Sequence, residues 1–116
     1  MTEEQIALAK RAVSCRGWRW LPGMLLADGV WRARVGEGWR WKEDAELLPV
    51  LDDHATLGCL LALVREAWGD PSLFVLFDHD GCKWRVARCL PALLVPRCRN
   101  ADTEAEALVA SLEAAP

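Results

Sequence analysis

The stretch Asp53-His54-Ala55-Thr56-Leu57-Gly58-Cys59-Leu60-Leu61-Ala62-Leu63-Val64-Arg65-Glu66-Ala67-Trp68-Gly69 decides how the rest of the chain is read. Leu57, Leu60, Leu61, Val64 and Trp68 recur at helical spacing, and from Ala55 to Trp68 the only charges are Arg65 and Glu66. A helix so apolar on nearly every side belongs at the buried centre of a fold. Asp52 and Asp53 precede it, where the helix dipole favours carboxylates, and Gly69-Asp70-Pro71 stops it. The flanks must then supply the layers that cover it.

On the N-terminal side, Thr2-Glu3-Glu4-Gln5 has the spacing of a capping box and leads into Ile6, Ala9 and Val13, which predicts a first helix over residues 3–15. Gly17 ends it, and Leu21-Pro22-Gly23 breaks the chain after a short extended piece with Trp18 and Trp20. Asp28-Gly29 and Gly36-Glu37-Gly38 then separate the β-prone runs 24–27, 30–35 and 39–42, the pattern of an antiparallel meander. On the C-terminal side, residues 73–77 and 82–89 flank the turn Asp78-His79-Asp80-Gly81, a second hairpin. Pro91 and Pro96 limit residues 90–99 to one short edge strand. Thr103-x-x-Glu106 opens a last helix with the stripe Ala105, Leu108, Val109 and Leu112. The order α-β-β-β-α-β-β-α predicts a single α+β domain over residues 1–116, an antiparallel sheet packed against helices.

At 116 residues and 53% hydrophobic content the chain is long enough to bury a core of its own. No apolar run reaches membrane-spanning length and no signal-like leader opens it, so a non-membrane, unprocessed protein is expected. Seven Trp accompany two Phe and no Tyr, and arginine outnumbers lysine eleven to three. Trp, Arg, Ala and Gly share GC-rich codons, so this tryptophan-rich composition reflects a GC-rich genome as much as a function. Cys15, Cys59, Cys82, Cys89 and Cys98 are odd in number, with one inside an apolar helix, which fits reduced thiols rather than a secreted disulfide framework.

The formal net charge of −3 conceals segregation. Residues 10–42 sum to +6, residues 43–80 to −8 and residues 81–100 to +5. Strand alternation sharpens this. If Trp18 and Trp20, Trp31, Trp39 and Trp41, and Trp84 face the helices, then Arg19, Arg32, Arg34, Arg40, Lys42, Lys83 and Arg85 face the other way. Like charges on neighbouring strands repel. A solvated face whose long stems cover apolar surface explains the pattern, as do an acidic protein surface and a phosphate-bearing nucleic acid. Base stacking is disfavoured, because the aromatics fall on the core side instead of among the cations. The acidic residues Glu43, Asp44, Glu46, Asp52 and Asp53 imitate a phosphate row, or form a loop followed by helix N-terminal carboxylates.

Catalytic and metal chemistry find little support. Cys82, Cys89 and Cys98 lack paired zinc-ligand spacing, and Asp78-x-Asp80-Gly81 lacks the later ligands of a calcium loop. His54 and His79 are the only bases that titrate near neutrality, and His79 with Cys82 makes at most a minimal Cys/His pair across a turn. A non-enzyme without metal or cofactor is expected.

Three strings carry a family resemblance: Gly17-Trp18-Arg19-Trp20-Leu21-Pro22-Gly23-Met24, the segment Leu48 to Gly69, and Glu104-Ala105-Glu106-Ala107-Leu108-Val109-Ala110. Together they resemble a set of small uncharacterised proteins encoded in phages and prophages of GC-rich hosts. Residues 24–47 and 70–100 take no part in the likeness. The resemblance implies a phage accessory protein in the host cytoplasm, a context in which small proteins bind and inhibit host machinery, CRISPR effectors and other defence complexes included. It transfers no catalytic residue. The expected function is stoichiometric binding to a host protein complex through Arg19, Arg32, Arg34, Arg40, Lys42, Lys83 and Arg85, with nucleic-acid binding through the same face as the alternative. A homodimer that buries a Trp or the segment 90–99 is compatible with the sequence, which does not demand one.

Overall fold

The central apolar run folds into the expected helix, but it is covered on one side only, with His54, Ala55, Gly58, Ala62 and Glu66 exposed on the other. In the computed structural model, which describes residues 2–27, 32–36, 47–79, 81–87 and 101–116, it forms a helix from His54 to Trp68. Asp53 caps its N-terminus, accepting from the Thr56 N–H, and Gly69 ends it in the left-handed region (φ 63°) that glycine adopts without steric cost. Thr56, Leu57, Leu60, Leu63 and Val64 are buried along it.

The elements are α1 (Glu3–Val13), β1 (Leu25–Ala27), β2 (Arg32–Arg34), β3 (Leu48–Pro49), α2 (His54–Trp68), β4 (Phe74–Asp78), β5 (Lys83–Ala87) and α3 (Glu104–Glu113). This is the α-β-β-β-α-β-β-α order of an α+β plan. Its strands divide between two antiparallel sheets, β2-β1-β3 and β4-β5. The third strand of the first sheet is Leu48–Pro49, within the apolar segment leading to α2. The expected strand 39–42, the Asp28-Gly29 turn, Glu37-Gly38 of the second turn and the edge strand within 90–99 lie outside the described residues.

Both predicted capping boxes carry their first hydrogen bond. Thr2 Oγ1 accepts from the Gln5 N–H while Gln5 Oε1 accepts from the Thr2 N–H, and Thr103 Oγ1 accepts from Glu106 N–H. Three contacts then knit helices and strands into one core. The Leu25 N–H donates to Thr56 Oγ1 at 2.8 Å, joining β1 to α2. The Trp68 indole N–H donates to the Ser111 carbonyl at 2.8 Å, joining α2 to α3. Arg65 Nε donates to the Leu73 carbonyl at 2.7 Å and fixes the entry to β4. Met24, Leu26, Leu60, Leu63, Leu73, Val86 and Leu108 fill the interior. No helix among the described residues is long and apolar enough to cross a membrane.

Candidate functional site

Alternation holds wherever strands and side chains are described. In sheet β2-β1-β3, Leu26 pairs with Ala33, and Met24 and Val35 lie buried on the same side, while Arg34 is exposed on the other. Trp18 and Trp20 pack edge-to-face at 5.4 Å against the core, with Arg19 between them pointing outward, although this piece is extended chain and not a strand. On β5, Trp84 and Val86 face inward, and Lys83 and Arg85 share the opposite face with Asp78 and Leu76 of β4.

The cations of the expected face do not lie on one sheet. Arg32 and Arg34 occupy β2, Lys83 and Arg85 occupy β5 of the other sheet, and Arg19 lies between α1 and β1. Arg40 and Lys42 fall outside the described residues, and Arg32 is placed only by its backbone, opposite Ala27. Each of the four whose side chains are described has a carboxylate partner. Arg19 pairs with Glu66 on α2, Arg34 with Asp53 at 3.0 Å, Lys83 with Asp102 just before α3, and Arg85 with Asp78 at 2.8 Å. Hydrogen bonding to these carboxylates raises the pKa of Arg19, Arg34 and Lys83 and lowers that of Glu66.

Sequence reasoning missed three of these four partners because they are distant along the chain, Glu66 lying 47 residues from Arg19. Asp78 and Arg85 were within reach of the sequence, since a hairpin turning at 79–82 makes them diagonal neighbours on one face. Arg34 is the most constrained. It donates to both Asp53 carboxylate oxygens and to the Gly23 carbonyl. Those bonds, with the cap to Thr56, hold the Asp53 carboxyl down at about 2.

Other candidates resolve into structure. The Cys82 thiol donates to the His79 backbone carbonyl, and the His79 imidazole packs edge-on against Phe77 at 5.1 Å. Among the described residues no three His, Cys, Asp or Glu side chains are grouped to hold a metal ion. Burial pushes the thiols of Cys15 and Cys59 up, away from the reactive thiolate. A cavity of about 910 Å³ opens where the C-terminal ends of the three helices meet, lined by Lys10, Arg11, Arg16, Cys15, Leu112 and Glu113 among others. Its cations complement the negative helix ends, and Arg11 is paired with Glu113.

No family model, curated protein or solved structure matches the chain.

Proposed function

We propose that the protein is a phage-encoded accessory protein that acts by stoichiometric binding to a host protein complex and inhibits it. The observation that carries this reading is the pairing of every described cation of the expected face with a carboxylate. A row of phosphates would meet Glu66, Asp53, Asp102 and Asp78 along with the cations, whereas a protein surface offers both signs in return. Exposed ion pairs such as Arg19–Glu66 and Lys83–Asp102 are screened by solvent and contribute little to stability, so exchanging them for pairs across an interface costs little. Arg19 and Lys83 are the residues to engage the partner, and Arg34 and Arg85 hold the frame that presents them.

The test is expression of the tagged chain in bacteria with active CRISPR interference. The wild-type chain is expected to co-purify with one host complex in fixed ratio and to lower its activity, and the double variant Arg19→Glu/Lys83→Glu to lose both at least tenfold. Unaltered interference and transcription with no complex recovered would refute the proposal. DNA or RNA binding by the purified chain that falls steeply with salt would replace it with a nucleic-acid function.

A further inference from the structure

The two strands of sheet β4-β5 differ in what lies beyond them. Trp84 exchanges both main-chain hydrogen bonds with Ala101, so the outer edge of β5 is already occupied there. Because Trp84 faces Ala101, the residues of β5 whose peptide groups face β4 are Lys83, Arg85 and Ala87, opposite Asp78, Leu76 and Phe74. The N–H and C=O groups of Val75 and Phe77 therefore point to the opposite side of β4, an edge that no described strand covers.

That edge lacks the usual protection. Among the described residues, β2 carries the exposed Arg34 and β3 contains Pro49, residue types that discourage pairing at an edge. β4 reads Phe74-Val75-Leu76-Phe77-Asp78, without lysine or proline, and its one charge is held by Arg85. Its centre, Leu76, is the one large apolar side chain left exposed among the described residues, at 42%.

We infer that β4 pairs antiparallel with β4 of a second copy about a two-fold axis at Leu76, joining two β4-β5 hairpins into one sheet across a homodimer. Val75 of each copy then lies opposite the partner's Phe77, and the two pairs exchange about four main-chain hydrogen bonds. Leu76 meets its own symmetry mate as a non-hydrogen-bonded pair with Cα atoms about 4.5 Å apart, which removes the exposed side chain from water. Asp78 faces the partner's Phe74 instead of another carboxylate. The interface closes on itself, because the strands left outermost in the joined sheet are the β5 strands, already bonded to Ala101, so it yields a dimer and not a fibre.

Sedimentation equilibrium across micromolar concentrations tests this, since twice the 12.9 kDa chain mass is expected for the wild type. Leu76→Lys sets two ammonium groups against each other at the axis, and it should weaken the dimer at least tenfold without changing the far-UV circular dichroism of the folded chain. If Leu76→Lys proves poorly folded, Leu76→Cys in a Cys82→Ser background gives an independent readout, a symmetric inter-chain disulfide on treatment with oxidised glutathione. A monomeric wild type, a dimer unaffected by Leu76→Lys, or no added cross-link from Leu76→Cys would each overturn the inference.

Discussion

Asp53 does three jobs with one carboxylate. It accepts the Thr56 N–H at 3.0 Å as the cap of α2, accepts the Thr56 hydroxyl at 2.9 Å, and takes the Arg34 guanidinium in two-point contact. The Thr56 hydroxyl, fully buried, in turn accepts the Leu25 N–H. Asp53→Ala is expected to cost about 2 kcal/mol, from the lost cap and the Thr56 and Arg34 groups left without their acceptor, measured by urea denaturation. Protonation should act in the same direction. The carboxyl titrates at about 2 in the folded chain and near its ordinary 3.8 when unfolded, so its contribution is complete above the higher value and lost as pH falls toward the lower. Half-exposure of Arg34 screens the pair, which limits the loss to about 1–2 kcal/mol. Asp53→Asn keeps a capping oxygen but does not titrate, so its stability should fall less than that of the wild type between about pH 5 and pH 2.

At the scale of the element, periodicity located the helices well. The spacing of Leu57, Leu60 and Val64 found the buried stripe of α2, and Ala105, Leu108, Val109 and Leu112 found that of α3. It left out Leu63, which is 1% exposed, because the buried arc of α2 is centred on Leu60 and turned toward Thr56 and Leu63, while Ala55, Gly58, Ala62 and Glu66 are exposed on the far side. The strands were harder to read. The strand β1 and the hairpin β4-β5, formed across a four-residue turn, lie close to their expected limits, whereas the pairing of β1 with β3 closes over the 20 residues 28–47, which contain no local signal of it. Two glycines show how context sets the sign of a substitution. Gly17 has ordinary backbone angles, yet an added Cβ would lie 3.1 Å from Leu112 and 3.3 Å from Ala67, so Gly17→Ala should destabilise by about 1–2 kcal/mol. Gly58 is exposed within α2 with nothing near its would-be Cβ, and Gly58→Ala should stabilise by about 0.5–1 kcal/mol. Thermal denaturation of the two variants should show Tm shifts of opposite sign.

Over the whole molecule, a count of charges along the chain predicted where cations point but not what they meet. Alternation placed Arg34, Lys83 and Arg85 outward correctly, because it depends only on neighbouring residues. The hairpin pattern reaches the partner of Arg85, whereas Asp53 at the cap of α2 and Asp102 on the approach to α3 are brought to Arg34 and Lys83 by the fold alone. The acidic and basic blocks therefore largely neutralise one another across elements where the structure describes them.

The division of the strands also bears on how the molecule yields to strain. β2-β1-β3 is tied to the start of α2 by the Leu25–Thr56 bond, while β4-β5 packs against α3. The two ladders share no strand, so each can open without breaking the hydrogen bonds of the other. Amide exchange should resolve two levels of protection, one common to Leu26 and Ala33 and another common to Leu76 and Arg85, and Thr56→Val should lower the first far more than the second. A partner gripping one sheet would then be felt at the other through the indole of Trp68 and the packed faces of α2 and α3, a mechanical linkage made of side chains and not of backbone.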